Sequence, residues 1–174
     1  MGILPEAAKA YIGRQSEEEV ACDLVEAGQV RRYAQAIQDE DPMFGAPCAA
    51  NQRFGGPVAP PLYPTHMFRR PLGAADPIQD RATDPDFDGL AATTGQTLPE
   101  IEPLRKFALL NGGSEIEFFR YARHGETVVM RSRYTDIYER ETSKGPIIFV
   151  IIEGEYRTAA GEVLCRTRRT ILRR

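Results

Sequence analysis

A short acidic run is the stretch of this chain best suited to chemistry. Asp39, Glu40 and Asp41 stand directly before Pro42. A carboxylate that faces a cleft can accept or donate a proton in acid–base catalysis. Because Pro42 disfavours the helical conformation at Asp41, a preceding helix should end here and hold the acidic group at its terminus. From the residues alone, an ordinary helix end followed by a turn is the more common explanation of such a run.

The segment before the acidic run is predicted to be that helix. Val30, Tyr33, Ala34 and Ile37 recur at helical spacing and form a narrow apolar face. The spacing predicts a helix over 29–38. Carboxylates at the carboxyl end of a helix oppose its dipole, so a reason other than helix stability should account for them.

A Gly/Pro-rich loop follows over residues 45–64. Proline is tolerated in the first turn of a helix, where the amide hydrogens lack intrahelical acceptors. We therefore expect a second helix over 62–70. Aromatic side chains surround the entrance to this helix and either line a binding cleft or pack in the core; they are Phe44, Phe54, Tyr63 and Phe68.

The chain has only two histidines, and each allows two interpretations. His66 lies on the predicted second helix, where it is a candidate proton donor or an ordinary core or interface residue. His124 lies in a predicted turn and is expected to be solvated. No metal site is predicted, because the histidines are distant and the cysteines have no ligand spacing. The cysteines, Cys22, Cys48 and Cys165, are expected to be small buried hydrophobic residues.

The second half of the chain has the pattern of an antiparallel sheet. Alternating apolar and polar residues, separated by turns, predict strands over 114–121, 127–139, 146–158 and 162–172. Together with the helices, they predict an α+β fold. Residues 72–107 are weakly patterned, and we expect a surface excursion that forms a lid or a binding wall.

Composition limits the classes of function. The chain has 174 residues, 42% of them hydrophobic, and a net charge of −3, which predicts one domain over 1–174. No global field would attract nucleic acid, and no apolar run is long enough to span a membrane. Without a recognisable signal peptide, a cytoplasmic protein is expected. Arginines concentrate in the last predicted strand, where they could protect a sheet edge, contact phosphates or simply be solvated.

Three stretches, in the expected order, resemble the MaoC-like hydratase/dehydratase family. They are YAQAIQDEDPMF at 33–44, FGGPVAPPL at 54–62 and LNGGSEIEF at 110–118. More narrowly, the chain is similar to the variant found as the N-terminal half of two-domain enzymes and as one subunit of heteromeric hydroxyacyl-thioester dehydratases. The resemblance implies a hot-dog fold, in which an antiparallel sheet wraps a long central helix and dimerisation builds an acyl-thioester tunnel.

The resemblance also implies a reaction. Family members move water across the double bond of a trans-2-enoyl thioester, giving the (R)-3-hydroxyacyl form, with an Asp and a His from one loop. Asp39 stands at the position of the Asp, and Phe44 replaces the His. In the family, backbone N–H groups at the start of the central helix polarise the thioester carbonyl. At this position Pro60 and Pro61 have no N–H, whereas Leu62 retains one.

The resemblance implies the lining of the acyl site. Phe44, Phe54 and Tyr63 are expected to contact the acyl group, and the neighbouring residues Val58, Ala59 and Leu62 would complete the wall. The substrate is a coenzyme A or carrier-protein thioester, and no cofactor is required. The phosphates of either carrier are possible ligands of the C-terminal arginines.

Three functions remain open. The chain is a subunit of an (R)-specific enoyl-thioester hydratase or 3-hydroxyacyl-thioester dehydratase, completed by a hot-dog partner subunit. Alternatively, it is an independently active homo-oligomer that uses Asp39 and His66. In the third interpretation it binds acyl thioesters without catalysis. A thioesterase is a weaker fourth option.

Overall fold

The computed structural model describes residues 2–70, 72–85 and 98–174, and its main element is an antiparallel sheet. The strands are β1 (Glu19–Val20), β2 (Leu109–Phe118), β3 (Val128–Thr142), β4 (Gly145–Thr158) and β5 (Val163–Arg173). The α-helices of the described residues are α1 (Ala27–Ile37) and α2 (Pro77–Asp80). Short 3₁₀ turns occupy Glu6–Tyr11, Pro42–Phe44, Gln52–Phe54, Tyr63–His66 and Glu102–Leu104. The α+β architecture predicted from the sequence is confirmed.

The strands follow the order β1-β3-β4-β5-β2. β3, β4 and β5 form two consecutive hairpins, and β2 pairs with β5 at the far end. Gly145 adopts a φ of 97° where the first hairpin turns, a conformation that glycine reaches without steric cost. The expectation that arginines of the last strand protect an edge is wrong, because β5 lies between β4 and β2.

Helix α1 confirms the helix predicted over 29–38. Val30 and Ala34 are buried on its inner face. Gln38 ends the helix in the left-handed conformation, at a φ of 58°, and its N–H bonds back to Ala34 and Gln35. The last helical residue, Ile37, therefore lies five residues before Pro42. None of the helices in the described ranges has the length and apolar character needed to cross a membrane.

The helix predicted over 62–70 is wrong. Only the 3₁₀ turn Tyr63–His66 forms there, with Tyr63 N–H donating to Pro60 and Met67 N–H donating to Pro64, each three residues back. An α-helix needs bonds four residues back, and Pro64 has no N–H to give one to Pro60. The prolines that suggested a helix start thus remove too many N–H donors for an α-helix to form.

The region predicted as an excursion, 72–107, contains α2 and the turn Glu102–Leu104 in its described parts. Residues 86–97 lie outside the described residues, so the lid or binding wall expected there stays a prediction. Leu104 is fully buried and packs with Ala8 and Ile137. At least one end of this region is therefore built into the core.

Two hydrophobic clusters cover the inner face of the sheet. The first core cluster includes Phe44, Val58, Ala59, Tyr63 and Tyr156. The second core cluster consists of buried residues from β3, β4 and the segments packed against them: Ala8, Ile101, Leu104, Tyr134, Ile137, Ile148, Val150 and Ile152. The acidic run and its loop therefore adjoin only the first cluster.

A row of small residues runs across three strands on the same face. Ser132 of β3, Gly154 of β4 and Thr167 of β5 are cross-strand neighbours. A methyl group at Gly154 would lie 2.8 Å from Thr167 Oγ1 and 3.4 Å from Ser132 Oγ. Close packing, rather than a turn, therefore explains this glycine.

Candidate functional site

Asp39 lies immediately after α1 with its side chain exposed. Its N–H donates to Ala34 at 3.0 Å, and its Oδ1 accepts a hydrogen bond from the N–H of Asp41 at 3.3 Å. Asp41 Oδ1 in turn accepts from Met43 N–H at 2.9 Å and caps the turn Pro42–Phe44. Asp41 is thus a capping residue, whereas the carboxylate of Asp39 is available to solvent or to a ligand.

Phe44 occupies the position at which the resemblance puts a histidine. Its side chain is only 5% exposed and belongs to the first core cluster. The turn Pro42–Phe44, fixed by the Asp41 cap, directs this ring inward. Phe44 therefore packs in the core, and the exposed carboxylate of Asp39 has no imidazole from this position beside it.

Asn51 organises the loop that follows, and sequence reasoning missed it. Its side chain is 1% exposed. Oδ1 accepts from Cys48 N–H at 3.0 Å, and Nδ2 donates to the carbonyl of Ala46 at 3.0 Å. An asparagine inside a Gly/Pro-rich loop is a recognisable signal of this role, since its amide replaces missing backbone partners.

The segment Val58–Ala59 continues from this loop into the core. Both residues are fully buried. Ala59 N–H donates to Ala122 at 2.8 Å, and Val58 N–H donates to Met43 at 3.2 Å. The second bond ties the segment to the turn that carries Phe44.

The structure brings most of the predicted lining residues together. Phe44, Val58, Ala59 and Tyr63 are members of the first core cluster, and Phe54 packs against it. Leu62 is instead 41% exposed. The aromatic contact between Phe54 and Tyr121, with centroids 5.0 Å apart, extends this apolar wall toward β2.

His66 is exposed at the end of the turn Tyr63–His66. Its ring lies 5.0 Å from that of Tyr33, which also contacts Tyr63 at 5.5 Å. Partial desolvation of the ring against its neighbours lowers the pKa of His66, and the nearby charge of Arg69 lowers it further. In the described residues, His66 has no hydrogen bond to Asp39.

His124 is half-buried, so the expectation of a solvated turn residue is wrong. Burial lowers the pKa of His124, against the opposing effect of a hydrogen bond to the backbone of Val58. Nε2 is inaccessible to solvent and has no hydrogen-bond partner among the described residues. The segment 57–59 packs over this turn, which sequence patterns could not show.

Two arginines of β5 form ion pairs with glutamates of β4. Arg166 Nε lies 2.9 Å from Glu155, and Arg168 lies 3.0 Å from Glu153. A cavity of about 750 Å³ lies on this charged outer face of the sheet, and none of the predicted site residues lines it. Because its lining is mostly charged or polar, the cavity is unsuited to an acyl chain, which needs apolar walls.

The cysteines differ in environment. Burial raises the pKa of Cys165 to about 12, as for an inert core residue. Cys22 is exposed and donates to the carbonyl of Arg69, so the expectation that it is buried is wrong. In the described parts of the chain, no group of three or more His, Cys, Asp or Glu residues is arranged to hold a metal ion.

Comparisons with known proteins agree with this architecture. Residues 10–167 match the family model described as the FAS1-like dehydratase domain region. A chain of the ChsH1–ChsH2 complex from Mycobacterium tuberculosis is 22% identical, with a TM-score of 0.70 over 96% of this chain and 88% of that one. A comparison with the sequences of curated proteins gave no match.

Two further solved structures are similar in fold. The MaoC-like dehydratase from Rhodospirillum rubrum has 18% identity and a TM-score of 0.59, over 94% of this chain and 93% of that one. A chain of the HadBC (3R-hydroxyacyl-ACP dehydratase) complex from M. tuberculosis has 15% identity and a TM-score of 0.53, over 90% and 95%. The hot-dog fold is thereby confirmed, with its helix reduced to a turn at Tyr63–His66. The chain belongs to the FAS1-like dehydratase domain family, and the MaoC-like resemblance drawn from its sequence is confirmed.

Proposed function

We propose that this chain is a subunit of an (R)-specific enoyl-thioester hydratase or 3-hydroxyacyl-thioester dehydratase. It forms part of the wall of the acyl site, and a partner hot-dog subunit supplies the acid–base pair. The observation that carries the proposal is the burial of Phe44, 5% exposed, at the position that the resemblance assigns to the catalytic histidine.

The chemistry explains why this position matters. Hydration needs a base that activates water and an acid that protonates the α-carbon, and histidine is the side chain best matched to both near neutral pH. Asp39 has no hydrogen bond to either histidine in the described structure, because His66 packs on Tyr33 and His124 bonds to Val58. An isolated exposed carboxylate is a weak catalyst for such a proton transfer.

Apart from the missing histidine, the remaining features of the site suit the binding of a thioester. The turn at Tyr63–His66 begins beside Leu62, whose N–H donates no hydrogen bond within the described residues. That N–H is a candidate donor to the thioester oxygen, although Pro60 and Pro61 contribute none. Among the predicted lining residues, Phe54 is partly buried and Leu62 is exposed, so both are accessible to an acyl group, whereas Val58 and Tyr63 support them from the core.

The relatives support a divided enzyme. The structures most useful for comparison include the ChsH1–ChsH2 and HadBC complexes, each named for two components. We extend this arrangement to the present chain: a partner hot-dog subunit completes its site, and the thioester is carried by coenzyme A or by a carrier protein.

The test is a hydration assay of the purified chain alone and with the hot-dog protein that co-purifies with it. Loss of trans-2-enoyl-CoA is measured for short, medium and bulky acyl groups. We expect no turnover by the chain alone and turnover by the pair. In the pair, Asp39→Asn in this chain should change kcat by less than about twofold, since the proton transfers belong to the partner.

The alternatives give different results in the same assay. Turnover by the chain alone that Asp39→Asn abolishes would establish the independent homo-oligomeric hydratase. Thioester binding without turnover in any pairing would establish the non-catalytic binding protein. Release of free thiol from an acyl-CoA would indicate a thioesterase.

A further inference from the structure

Arg53 and Arg123 contact consecutive residues of the loop that follows the acidic run. The guanidinium carbon of Arg53 lies 4.6 Å from the centroid of the Phe54 ring. A methyl group added to Gly55 would lie 3.6 Å from Cζ of Arg123, so this guanidinium group packs directly against Gly55. Both arginines are exposed. Two positive charges therefore flank the same short segment of the loop.

The structure holds both arginines in place. Arg53 stacks on Phe54 in a cation–π contact, and Phe54 itself packs against the first core cluster. The backbone of Arg123 forms a β-bridge with Val58, and its N–H donates to Glu126 at 2.8 Å. Side chains that are ordered beforehand lose less conformational entropy when a ligand binds.

Neither guanidinium group has a carboxylate partner. Within the ranges that the structure describes, no ion pair or side-chain hydrogen bond involves the guanidinium of Arg53 or of Arg123. Glu126 accepts the backbone N–H of Arg123 but directs its two carboxylate oxygens to Arg120, at 2.6 and 3.2 Å. The β5 arginines that form ion pairs with β4 differ in this respect. The two loop arginines are thus available to an anionic ligand.

The place of these arginines suits the carrier end of a bound thioester. Phe54 is partly buried and is one of the predicted acyl-lining residues that a ligand can reach. Arg53 and Arg123 are exposed beside it. In a pantetheine thioester, the phosphate lies at the opposite end of the pantetheine arm from the acyl group. Ligands for the phosphate are therefore needed outside the apolar part of the site.

We infer that Arg53 and Arg123 bind phosphate groups of the pantetheine carrier, which is either coenzyme A or the phosphopantetheine arm of a carrier protein. The inference deepens the proposed function, on which it rests for a thioester ligand. Guanidinium groups match phosphate oxygens in geometry and can donate two parallel hydrogen bonds. The phosphate would supply the anionic partner that neither arginine has in the described part of the chain.

Calorimetric titration of the purified chain tests the inference with three probes that carry the same acyl group. Butyryl-CoA and S-butyryl-phosphopantetheine carry phosphate, whereas S-butyrylpantetheine carries none. In Arg53→Gln/Arg123→Gln, we expect the affinity for at least one phosphate-bearing probe to fall about tenfold or more, because charge-assisted hydrogen bonds are lost. The affinity for S-butyrylpantetheine should change by less than about twofold, because this probe offers the arginines no anion.

The two phosphate-bearing probes distinguish the sources of the phosphate. Weaker binding of both probes indicates the phosphate that coenzyme A and the carrier-protein arm share. Weaker binding of butyryl-CoA alone indicates the phosphates of its nucleotide part, which a carrier-protein arm lacks. Weaker binding of S-butyryl-phosphopantetheine alone indicates a carrier protein. Each of these results supports a phosphate site at the two arginines.

Arg14→Gln/Arg140→Gln is the matched control. Both of these arginines are exposed and lie over aromatic rings, Arg14 at 4.3 Å from the centroid of Tyr11 and Arg140 at 5.1 Å from that of Tyr138. The control removes the same charge away from the loop and should leave the affinity for every probe unchanged. Circular dichroism verifies that each variant is folded.

A conservative variant separates charge from shape. Arg53→Lys/Arg123→Lys keeps the positive charges but loses the planar guanidinium groups, so it should bind the phosphate-bearing probes more tightly than the Gln variant does. Equally weak binding by the Lys and Gln variants would contradict a phosphate ligand.

The inference is overturned if the wild type binds neither phosphate-bearing probe more tightly than S-butyrylpantetheine. It is also overturned if the Gln variant binds all three probes as the wild type does, if it loses affinity equally for all three, or if the control loses as much. Phosphate-dependent binding without turnover in any pairing would keep the phosphate site and reject the proposed hydratase. Turnover with a co-purified partner, together with phosphate-independent binding, would do the reverse.

Discussion

The side chain of Asn51 accepts a hydrogen bond of 3.0 Å from the backbone N–H of Cys48 and thereby closes the loop that follows the turn Pro42–Phe44. We predict that Asn51→Ala lowers the free energy of unfolding by about 1–3 kcal/mol, because it leaves buried backbone groups unpaired. Urea denaturation measures the change. The neighbouring Gln52→Ala, at an exposed position, should have little effect. Equal stability of both variants would show that the loop does not depend on this amide.

Gly154 provides a second stability test, since its neighbours leave no room for a methyl group. Gly154→Ala should destabilise the protein by about 1–3 kcal/mol through overpacking against Thr167. Gly28→Ala is the control, because the nearest atom to its added methyl is 4.0 Å away and alanine favours a helix.

Relief of the same contact should be visible in a double variant. Gly154→Ala/Thr167→Ala removes Oγ1 and should be less destabilised than the sum of the single changes. If the losses of unfolding free energy in the two single variants simply add in the double variant, Thr167 is not the residue that clashes with the added methyl group.

Phe44→His restores the residue type of the family's motif without restoring its function. Because Phe44 is packed in the first core cluster, the imidazole would be buried away from solvent, and stability should fall by about 2–4 kcal/mol. The purified variant should still lack hydratase activity. Phe44→Leu, which keeps an apolar side chain, is the control for packing. Hydration of an enoyl-CoA by Phe44→His alone would contradict the assignment of catalysis to a partner.

Acidic pH should weaken the fold through His124. Burial lowers the pKa of His124 in the folded state below that of the unfolded chain, about 6.5. The folded state therefore binds fewer protons than the unfolded state, and stability is complete above about pH 6.5 and is lost as the pH falls below it. Protonation would also give the enclosed Nε2 an unpaired N–H.

The measurement is the free energy of unfolding at several pH values from about 8 to about 5. His124→Gln should show a smaller loss than the wild type over this interval. His66→Gln separates the contribution of the other histidine, whose pKa is also lowered in the folded state. A wild-type curve that His124→Gln leaves unchanged would exclude His124 as the source.

The local patterns in the sequence predicted most of the sheet and α1. Alternation identified β3, β4 and β5 because each has one buried face, and their turns carry glycine. The order of strands was beyond such patterns, since the pairing of β2 with β5 is non-local. Proline density misled the prediction for 62–70, where the absence of amide hydrogens outweighed the suitability of proline for a helix start.

The candidate site was predictable only in part. The resemblance identified Asp39 and Phe44, but the inward direction of the Phe44 ring depends on the cap formed by Asp41. Asn51 was missed because its partners lie within an irregular loop that has no period. The contact of His124 with the segment 57–59 joins distant parts of the chain, and no local rule predicts it.

The position of β2 in the chain also bears on the order of folding. Phe118 pairs with Cys165 and Leu109 with Arg173, so β3 and β4 lie between the two strands in sequence. Local hairpins form before such distant pairings, and we expect β2 to join the sheet last. Pulse-labelling hydrogen exchange should show protection of the β3–β4 hairpin first, and simultaneous protection would contradict this order. One side of β5 would then stay uncovered until folding is complete, and an accessible β5 backbone would mark an incompletely folded chain.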